Sequence, residues 1–569
     1  FEFRASNFKP RRFLMPADPN LYWEVTNSAA MPHSPAEGIL RYHEETKHHP
    51  DRYARSAGYM DWDNQPDPFR VYEGAPIVNL PLLPQDPPGG HRALYEPGRA
   101  GAPLTLANVA GFLELSMGLS AWKAISGSRW PLRMNPSSGN LHPTETHLVL
   151  PRLPGCEAGI YHYAPLQHAL ERRAEVPDDL WRAAVAHFGG EGFLAGLTSI
   201  FWRESWKYGE RAFRYCNHDV GHALAALRFA ANLFGWRVAC LTGLSDEAVA
   251  AVLGLRGTAY PSQDEEHPDL LCFVHDGRLS PAPHTLPEEL AAAFDQIPFA
   301  GRPNPLSREH VDWEIIGRAA ELSRKPATPA APLSFDRPER VGADASTLGA
   351  ASIIRRRRSA TDFDRRRGIP RSHFLAMLDR TRPRDGTAPF DTGLGEPALH
   401  LLIFVHHVEG LPPGLYFFSR NDRDLPEVRG LARPEYAWEP VEAGFPLFLL
   451  EPGDFRRTAA MVSCHQDIAG AGAFSLGMLA RFGETVRREP FRYRHLFWES
   501  GMIGQVLYLE AEAHGVRGTG IGCFFDDAVH GLLGLTDDRY QSLYHFTVGH
   551  PLEDPRLTTL PPYSHLRNR

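Results

Sequence analysis

A regular pattern of apolar side chains predicts a long buried helix near the middle of the chain. Apolar residues recur at alternating spacings of four and three between Val220 and Phe234, which places them on one face of an α-helix. Asp219 precedes this run and belongs to a residue type that caps helix starts. Gly235 follows it and suits the left-handed conformation that often ends a helix. We therefore predict a helix that begins at Asp219 and ends before Gly235.

The residues on either side predict strands. Residues 236–241 form a short strand-like run that leads into another helix, and His147–Leu150 form a second run. A long buried helix followed by a strand is typical of α+β folds. We therefore expect an α+β fold class.

The helix–strand pattern occurs twice. The 37 residues that begin "DVGHALAALRFAANLFGWRVACLTGL" at Asp219 align without a gap with those that begin "ESGMIGQVLYLEAEAHGVRGTGIGCF" at Glu499, an offset of 280 (499 minus 219). A weaker match pairs residues 142–163 with residues 396–418. We interpret this as an internal duplication. The expected organisation is an extension packed on the core (1–80), a first domain (81–300), a linker (301–346) with a Pro/Ala-rich stretch from Ser323 to Ser346, and a second domain (347–569).

Composition excludes several classes of protein. The 569-residue chain is 43% hydrophobic with a formal net charge of −8, which fits a packed globular protein and argues against a general nucleic-acid binder. We find neither an apolar run of 18 residues nor a leader, so we expect no membrane span and no signal peptide. The six cysteines form no CxxC pair. We therefore expect no disulfide framework, no metal site and a cytoplasmic location.

A cluster of small and turn-forming residues precedes the predicted strand at His147. It consists of Pro136, Ser137, Ser138, Gly139 and Asn140. Such a cluster is often a loop whose side chains bond its own backbone. Alternatively, its hydroxyl and amide groups face a bound ligand.

Four motifs resemble those of the nitroreductase superfamily. "NPSSGNLHPTE" (Asn135–Glu145) resembles the flavin-binding signature of that superfamily, and more closely that of the SagB/ThcOx-type azoline dehydrogenases. "KYGERAFRY" (Lys207–Tyr215), "RRRRSATDF" (Arg355–Phe363) and "YHFTVGHPLEDP" (Tyr544–Pro555) are similar to other motifs of the same branch. The resemblance covers most of the chain from about Tyr42 onward. It implies two tandem nitroreductase-like domains that form an intrachain pseudo-dimer.

The resemblance also implies one composite site for FMN. The second half retains Arg357, Arg358 and Ser359 for the phosphate, and a Gly-rich strand end with Gly520, Ile521 and Gly522 beside the ring. The first half retains Pro136, Ser137, Ser138, Gly139 and Asn140. Arginine forks suit phosphate oxygens, although the arginine run could instead be a solvated patch. Thr361 stands where the family usually has a further arginine.

Lys207 and Tyr208 are the candidate catalytic residues that the resemblance implies. Only five of the 60 basic residues are lysines, so a lysine within a matching motif carries weight. A cation beside a tyrosine favours the phenolate, and we therefore expect the pKa of Tyr208 to be shifted toward neutrality. The alternative is a surface lysine beside a packed tyrosine. The second half has Arg487 and Arg488 at the equivalent positions.

The resemblance implies an FMN-dependent oxidoreductase that dehydrogenates azoline-type (thiazoline or oxazoline) or related peptide-derived substrates. Two alternatives remain open: an NAD(P)H-dependent flavin reductase or nitroreductase, and an inactive scaffold of a peptide-modifying complex. The expected partners are a small-molecule or peptide substrate and peptide-modifying enzymes, without nucleic acid or membrane.

Overall fold

The computed structural model describes residues 34–96, 100–261, 263–279, 283–329, 335 and 346–566. Residues 1–33 of the expected extension and residues 330–345 of the expected linker, apart from Phe335, lie outside this set. Residues 314–322 of the expected linker form a helix whose Ile316 and Ala319 are buried. None of the helices in the described residues is both long and apolar enough to cross a membrane.

The first half of the chain contains eight helices and eleven strands within the described residues. The helices are α1 (Pro35–Glu45), α2 (Leu106–Ser116), α3 (Asp178–Phe188), α4 (Phe201–Tyr208), α5 (Ala212–Leu233), α6 (Asp246–Leu253), α7 (Glu288–Asp295) and α8 (Glu314–Leu322). The strands are β1 (Tyr72–Glu73), β2 (Ile77–Asn79), β3 (Leu119–Ile125), β4 (Ser128–Arg133), β5 (Thr144–Leu150), β6 (Gly159–Ala164), β7 (Ala169–Glu175), β8 (Gly192–Ser199), β9 (Arg237–Cys240), β10 (His267–His275) and β11 (Arg302–Pro303).

The second half continues with α9 and β12. Its helices are α9 (Ala350–Arg356), α10 (Arg371–Arg380), α11 (Leu425–Leu431), α12 (Arg456–Val462), α13 (Ile468–Ala471), α14 (Gly483–Arg488), α15 (Arg492–Ala513) and α16 (Ala528–Leu533). Its strands are β12 (Leu399–Val405), β13 (Gly414–Phe418), β14 (Glu439–Glu442), β15 (Phe445–Pro452), β16 (Phe474–Arg481), β17 (Arg517–Ile521), β18 (Tyr540–Gly549) and β19 (Thr558–Leu560).

Each half contains a seven-stranded antiparallel sheet. The strand orders are β2-β7-β6-β5-β8-β10-β9 and β14-β15-β13-β12-β16-β18-β17. From the second strand onward, the six strands of one sheet follow the same relative chain order as the six strands of the other. The outermost strands differ, because β2 precedes all other strands of its sheet along the chain, whereas β14 lies between β13 and β15. This α+β architecture agrees with the predicted fold class.

The helices α5 and α15 cross at the centre of the molecule. Both are 22 residues long, and every residue of α5 is buried. Their backbones touch at two glycines: a Cβ added to Gly221 would lie 2.1 Å from the Trp498 carbonyl oxygen, and one added to Gly501 would lie 2.2 Å from the His218 carbonyl oxygen. The predicted apolar stripe from Val220 to Phe234 is therefore confirmed as core.

The predicted helix start at Asp219 is wrong. The helix α5 already begins at Ala212, so Asp219 lies within it. The preceding residues are held by tertiary contacts, because Arg211 and Arg214 both donate hydrogen bonds to the buried Asp526 of the second half. The predicted helix end is confirmed, since Gly235 has a φ of 68°. The strand within residues 236–241 and the strand over His147–Leu150 are confirmed as β9 and β5.

Segments from both ends of the chain join the halves. Helix α1 contacts both of them, because the Tyr42 hydroxyl donates to the Glu210 carbonyl at 2.8 Å and His43 contacts Gln541 at 3.2 Å. Near the other end, β19 pairs with β3 of the first half. Both segments thus contact the other half, and the cavities described below are lined by residues of both halves.

Candidate functional site

The main cavity lies between the halves and has a volume of about 460 Å³. Its wall includes the rings of four tyrosines, and both halves contribute to it. The first half contributes Pro136, Ser137, Ser138, Gly139, Tyr208, Tyr215, Asp219 and His222. The second half contributes Ser359, Ala360, Thr361, His465, Gln466, Asp467, Ile468, Tyr508, Thr519, Gly520, Ile521, Gly522, Cys523 and Tyr544. A concave, mostly apolar site with a few polar groups is typical of small-molecule and cofactor binding.

A smaller cavity of about 80 Å³ adjoins the main one and is strongly cationic. The two cavities share wall residues of the Ser-Ser-Gly loop (Pro136–Asn140) and of the segment that follows the arginine run. The basic side chains around the small cavity are Lys123, Arg133, Arg357, Arg358 and Arg517, opposed by Glu553 and Asp554. The combined space therefore has an aromatic end and a basic end.

The Ser-Ser-Gly loop both bonds to its surroundings and lines the cavities. The backbone N–H and hydroxyl of Ser138 each donate to the carboxylate of Asp219 at 3.0 Å. The Ser137 hydroxyl accepts from the His142 N–H at 2.8 Å. Gly139 and Asn140 have φ values of 58° and 60°, a region that glycine and asparagine tolerate best. The loop thus bonds to its surroundings as one interpretation of the cluster expects, and its place at the cavities leaves the ligand-facing interpretation a prediction.

The residues of the arginine motif lie at the small cavity and also support its wall. Arg357 donates to the carbonyl oxygens of Arg133 and Met134, and Arg358 donates to those of Arg355, Arg357 and Ser120. Ser359 shares a 2.9 Å hydrogen bond with the Tyr508 hydroxyl.

Three residues at the small cavity were missed by sequence reasoning. Arg133 Nε, Asn135 Oδ1 and His142 Nδ1 are buried atoms without a hydrogen-bond partner among the described residues. Buried polar atoms normally have partners, so these atoms fit a ligand that offers both acceptors and donors, as the phosphate and ribityl hydroxyls of FMN do. Burial lowers the pKa of Arg133 to about 10. Their position next to the Ser-Ser-Gly loop was the available sequence signal.

The Gly-rich strand end lies against tyrosine rings. A Cβ added to Gly520 would lie 2.0 Å from the Tyr544 hydroxyl, and one added to Gly522 would lie 2.1 Å from the Tyr215 ring. The Gly520 N–H donates to the Tyr508 hydroxyl at 3.0 Å. Ile521 lines the cavity, and its side chain belongs to the outer core of the second half. Glycine is required here because the rings pack directly on the backbone.

Lys207 and Tyr208 lie against the Ser-Ser-Gly loop. A Cβ added to Gly139 would meet the Tyr208 hydroxyl at 2.7 Å and Lys207 Nζ at 3.1 Å. The expected shift of the Tyr208 pKa toward neutrality is wrong: burial, with Glu204, Tyr215 and Asp219 nearby, raises it well above 10. Burial lowers the pKa of Lys207. The buried site therefore favours a neutral tyrosine and destabilises the lysine charge.

Two buried carboxyl groups near Tyr208 were also missed. Glu204 lies one helical turn before Lys207 in α4, and both its carboxyl oxygens lack a hydrogen-bond partner among the described residues. Burial and the neighbouring Asp219 raise the pKa of Glu204 well above its usual value. Burial also raises the pKa of Asp219 to about 7. The groups around Lys207 can therefore hold protons near neutral pH.

A second cavity of about 470 Å³ lies where the second half repeats the first-half wall. At the offset of 280, Tyr208, Tyr215, Asp219 and His222 correspond to Arg488, His495, Glu499 and Met502, which line it. Glu499 is held by an ion pair with the buried Arg420. The two tyrosines and the histidine of the main cavity are thus replaced at these positions by arginine, histidine and methionine, while Phe390 and Phe491 also line the second cavity.

Comparisons with known proteins agree with this architecture. Residues 354–550 match the family model described as "Nitroreductase family". A solved structure, a putative nitroreductase from Anabaena variabilis, superposes with a TM-score of 0.65 at 22% identity and covers 90% of this chain and 99% of that one. A putative nitroreductase of Methanocaldococcus jannaschii is 24% identical over 163 residues, which is 27% of this chain and 77% of that one. This chain therefore has a nitroreductase-like α+β fold. The family match itself falls in its second half.

Proposed function

We propose that this protein is an FMN-dependent oxidoreductase with one flavin site between its halves. The observation that carries the proposal is the joined space with a basic end and an aromatic end, built from both halves. FMN has the same polarity, with a dianionic phosphate at one end and a planar ring at the other. When bound, FMN supplies a two-electron acceptor.

The basic end would hold the phosphate and the ribityl chain. Arg133, Arg358 and Ser359 offer donors at the small cavity, and Asn135 Oδ1 offers an acceptor for a hydroxyl. Charge-assisted bonds from arginine to phosphate are among the stronger hydrogen bonds in proteins. The rings of Tyr208, Tyr215 and Tyr544 would border the flavin ring in the main cavity.

We further propose that the two halves arose by duplication and form an intrachain pseudo-dimer. The matching sheet orders and the equal lengths of α5 and α15 support this proposal. Each half then contributes one part of a single site.

The proposed substrates are azoline-type rings in peptides, which are oxidised to azoles. This reaction removes a proton from a ring carbon and two electrons with the other hydrogen. Lys207 is suited to accept the proton, because its lowered pKa increases the fraction of neutral amine. Tyr208 is suited to donate a hydrogen bond from its hydroxyl, because its raised pKa keeps that group protonated.

The test begins with the visible absorption spectrum and the released flavin of the purified chain. A protein that takes up no FMN would contradict the proposal and favour a scaffold role. The flavin-loaded chain is then mixed anaerobically with an azoline-containing peptide, NADH or NADPH. Bleaching by the peptide alone supports the dehydrogenase, whereas bleaching by a nicotinamide alone favours a flavin reductase or nitroreductase. If peptide-modifying partner enzymes are required, bleaching by the peptide will appear only when they are added.

A further inference from the structure

Two of the six cysteines meet at the wall of the main cavity. Cys523 follows Gly522 and lines the cavity, and its thiol lies near the thiol of Cys464. Both are half-buried, whereas Cys156, Cys216, Cys240 and Cys272 are buried. The two backbones are tied together, because the Gln466 side chain donates to the Cys523 carbonyl at 2.8 Å and the Phe525 N–H donates to the Val462 carbonyl at 2.9 Å.

The segment before the first domain adds a donor to Cys523. The Ala54 N–H donates to Nδ1 of the buried His48 at 2.9 Å, so Nδ1 is the acceptor and the neutral ring carries its proton on Nε2. The His48 side chain contacts the Cys523 thiol, so this arrangement directs the Nε2–H toward sulfur. His48 is fixed by its backbone, which exchanges two hydrogen bonds with Asp526.

The charges around Cys523 favour a thiolate. Arg211 lies beside it, with its guanidinium 3.4 Å from the Gly522 carbonyl oxygen and 4.9 Å from the centre of the Phe524 ring. The nearby Asp526 carboxylate is neutralised by Arg211 and Arg214. The remaining titratable neighbours, Tyr208 and Tyr215, have raised pKa values and are uncharged. The Cys464 thiol, and after it His48 and Arg211, lower the pKa of Cys523 against the opposing effect of burial.

Cys464 is arranged as a protonated partner thiol. The Tyr53 hydroxyl is in hydrogen-bonding contact with it, and the pKa of Cys464 is raised by its contact with Cys523 and by burial. Its backbone has a φ of 54°, and that of His465 is 58°. Two consecutive left-handed residues other than glycine are uncommon, and this turn brings the thiol to Cys523.

We propose that Cys523 and Cys464 form a reactive dithiol site that hydroperoxides oxidise to a disulfide. The Cys523 thiolate attacks one peroxide oxygen, the O–O bond breaks, and water or an alcohol leaves after protonation. The resulting sulfenic acid is attacked by Cys464 sulfur, which forms the S–S bond and releases water. Overall, two thiols lose two electrons and two protons, and the hydroperoxide is reduced. This proposal does not depend on the nature of the cofactor or substrate.

Alkylation of the full chain with iodoacetamide, followed by peptide mass spectrometry, tests the thiolate. We expect Cys523 to react at pH 6 about tenfold faster than an ordinary exposed thiol, and its rate to change little up to pH 8, where an ordinary thiol gains about 100-fold. Flavin-loaded and flavin-stripped chains are both labelled, so that a shielded thiol is distinguished from an unreactive one. Labelling at pH 6 no faster than an ordinary thiol in both preparations would overturn the proposal.

Treatment with one equivalent of hydrogen peroxide tests the pairing. We expect a Cys464–Cys523 disulfide in the wild-type chain and a Cys523 sulfenic acid trapped by dimedone in Cys464→Ser. The buried pair Cys240 and Cys272, whose sulfurs lie 3.4 Å apart, is an internal control for proximity without access. His48→Phe should lower the Cys523 alkylation rate at pH 6 about tenfold, whereas His49→Phe should leave it unchanged. Absence of the disulfide in a chain with both thiols free would refute the pairing.

Discussion

Glu204 and Asp219 are buried and Lys207 is half-buried, and solvent exclusion dominates the proton equilibria of all three. Burial is the largest contribution to the pKa shift of each, lowering that of Lys207 and raising those of the two carboxyl groups. A lysine flanked by carboxyl groups that hold protons is less fully charged than one in an ion pair. The same group can therefore accept a proton at a pH where an exposed lysine cannot.

At this scale, Lys207→Met and Tyr208→Phe should retain FMN and slow flavin reduction by an azoline peptide by about 10²–10⁴-fold. Neither residue lies at the small cavity, so flavin binding should persist. The wild-type rate should rise with pH as Lys207 loses its proton and level off below pH 10.5. Anaerobic stopped-flow measurements across the pH range check both points. Arg487→Met is the matched control, because Arg487 is exposed and occupies the position in the second half that is equivalent to Lys207. This variant should react at the wild-type rate.

The charge of Arg358 should matter for cofactor affinity. Arg358→Ala removes a cation from the small cavity and should weaken FMN binding about tenfold or more, since a charge-assisted bond is worth roughly 1.5–3 kcal/mol. Ser138→Ala should change affinity less and the flavin spectrum more. Fluorescence titration with FMN measures both. Arg356→Ala is the control, because Arg356 is largely exposed and paired with Glu512. Equal affinities for all variants would contradict the assignment of the basic end.

Asp219 should make stability depend on pH. Its pKa is about 7 in the folded chain and near 3.8 when unfolded, so the folded state binds the proton more tightly. Its contribution to stability is complete below pH 3.8 and is lost as the pH rises through about 7. Relative to Asp219→Asn, the free energy of unfolding of the wild type should fall by about 2–3 kcal/mol between pH 5 and 7.5. If this were wrong, the free energies of unfolding of the wild type and of Asp219→Asn, measured by denaturant titration, would change with pH in parallel.

Individual site residues could be predicted from the sequence only where a motif marked them. The Ser-Ser-Gly loop was expected at a ligand site and lies at both cavities. Glu204 and Arg133 could not be found in this way, because their role comes from burial and unpaired atoms that only the folded chain reveals. The prediction that the pKa of Tyr208 is shifted toward neutrality failed for the same reason. The sequence shows the adjacent lysine, whereas only the folded chain shows the burial that raises this pKa.

Among the elements, the contact between α5 and α15 depends on the absence of two side chains. Gly221 and Gly501 allow the helix backbones to touch, and both helices then project residues toward the cavities. Asp219 and His222 lie on either side of Gly221, and Glu499 and Met502 lie on either side of Gly501. The crossing point therefore sets the separation of the walls in both cavities.

Gly221→Ala should destabilise the chain by about 2 kcal/mol or more, because the added methyl group would lie 2.1 Å from the Trp498 carbonyl oxygen. The free energy of unfolding from denaturant titration measures the loss. Gly430→Ala in α11 is the matched control, since no atom lies within 4 Å of its added Cβ. That variant should be neutral or slightly stabilising, as alanine favours helices. Similar losses for both variants would exclude the backbone contact as the cause.

The sequence predicted elements best where their periodicity was regular. The stripe from Val220 to Phe234, the end at Gly235 and the strands β5 and β9 were all found. The start of α5 was not, because Arg211 and Arg214 are held by contacts to Asp526, more than 300 positions away in the sequence. The residue type at Asp219 predicts a local helix cap and carries no information about that distant contact. In the structure the Asp219 carboxylate instead accepts a hydrogen bond from Ser138.

For the molecule as a whole, the two cavities have similar volumes and different chemistry. Tyr208 and Tyr215 of the main cavity have no tyrosine counterparts in the second one, where Arg488 and His495 occupy the equivalent positions. The basic cavity that adjoins the main one combines Lys123 and Arg133 of the first half with Arg357, Arg358 and Arg517 of the second half. The two sheets therefore share the order of six strands, whereas the two cavities differ in the side chains that line them.

We predict one FMN per chain. Flavin released by denaturation, compared with protein concentration, should give a ratio near one after saturation and removal of excess FMN. Arg488→Ala should leave that ratio unchanged, because Arg488 lines only the second cavity. A ratio near two would mean that the second cavity also holds flavin.

The single covalent chain also affects how the protein can change over generations. In a dimer of identical subunits, a codon change at the crossing of the central helices would alter both copies at once. Here Gly221 and Gly501 are encoded separately, as are Tyr208 and Arg488. Natural selection can therefore preserve a residue on one side while its equivalent drifts or is recruited for another task. Variation among homologues should accordingly be greater around the second cavity than around the main one.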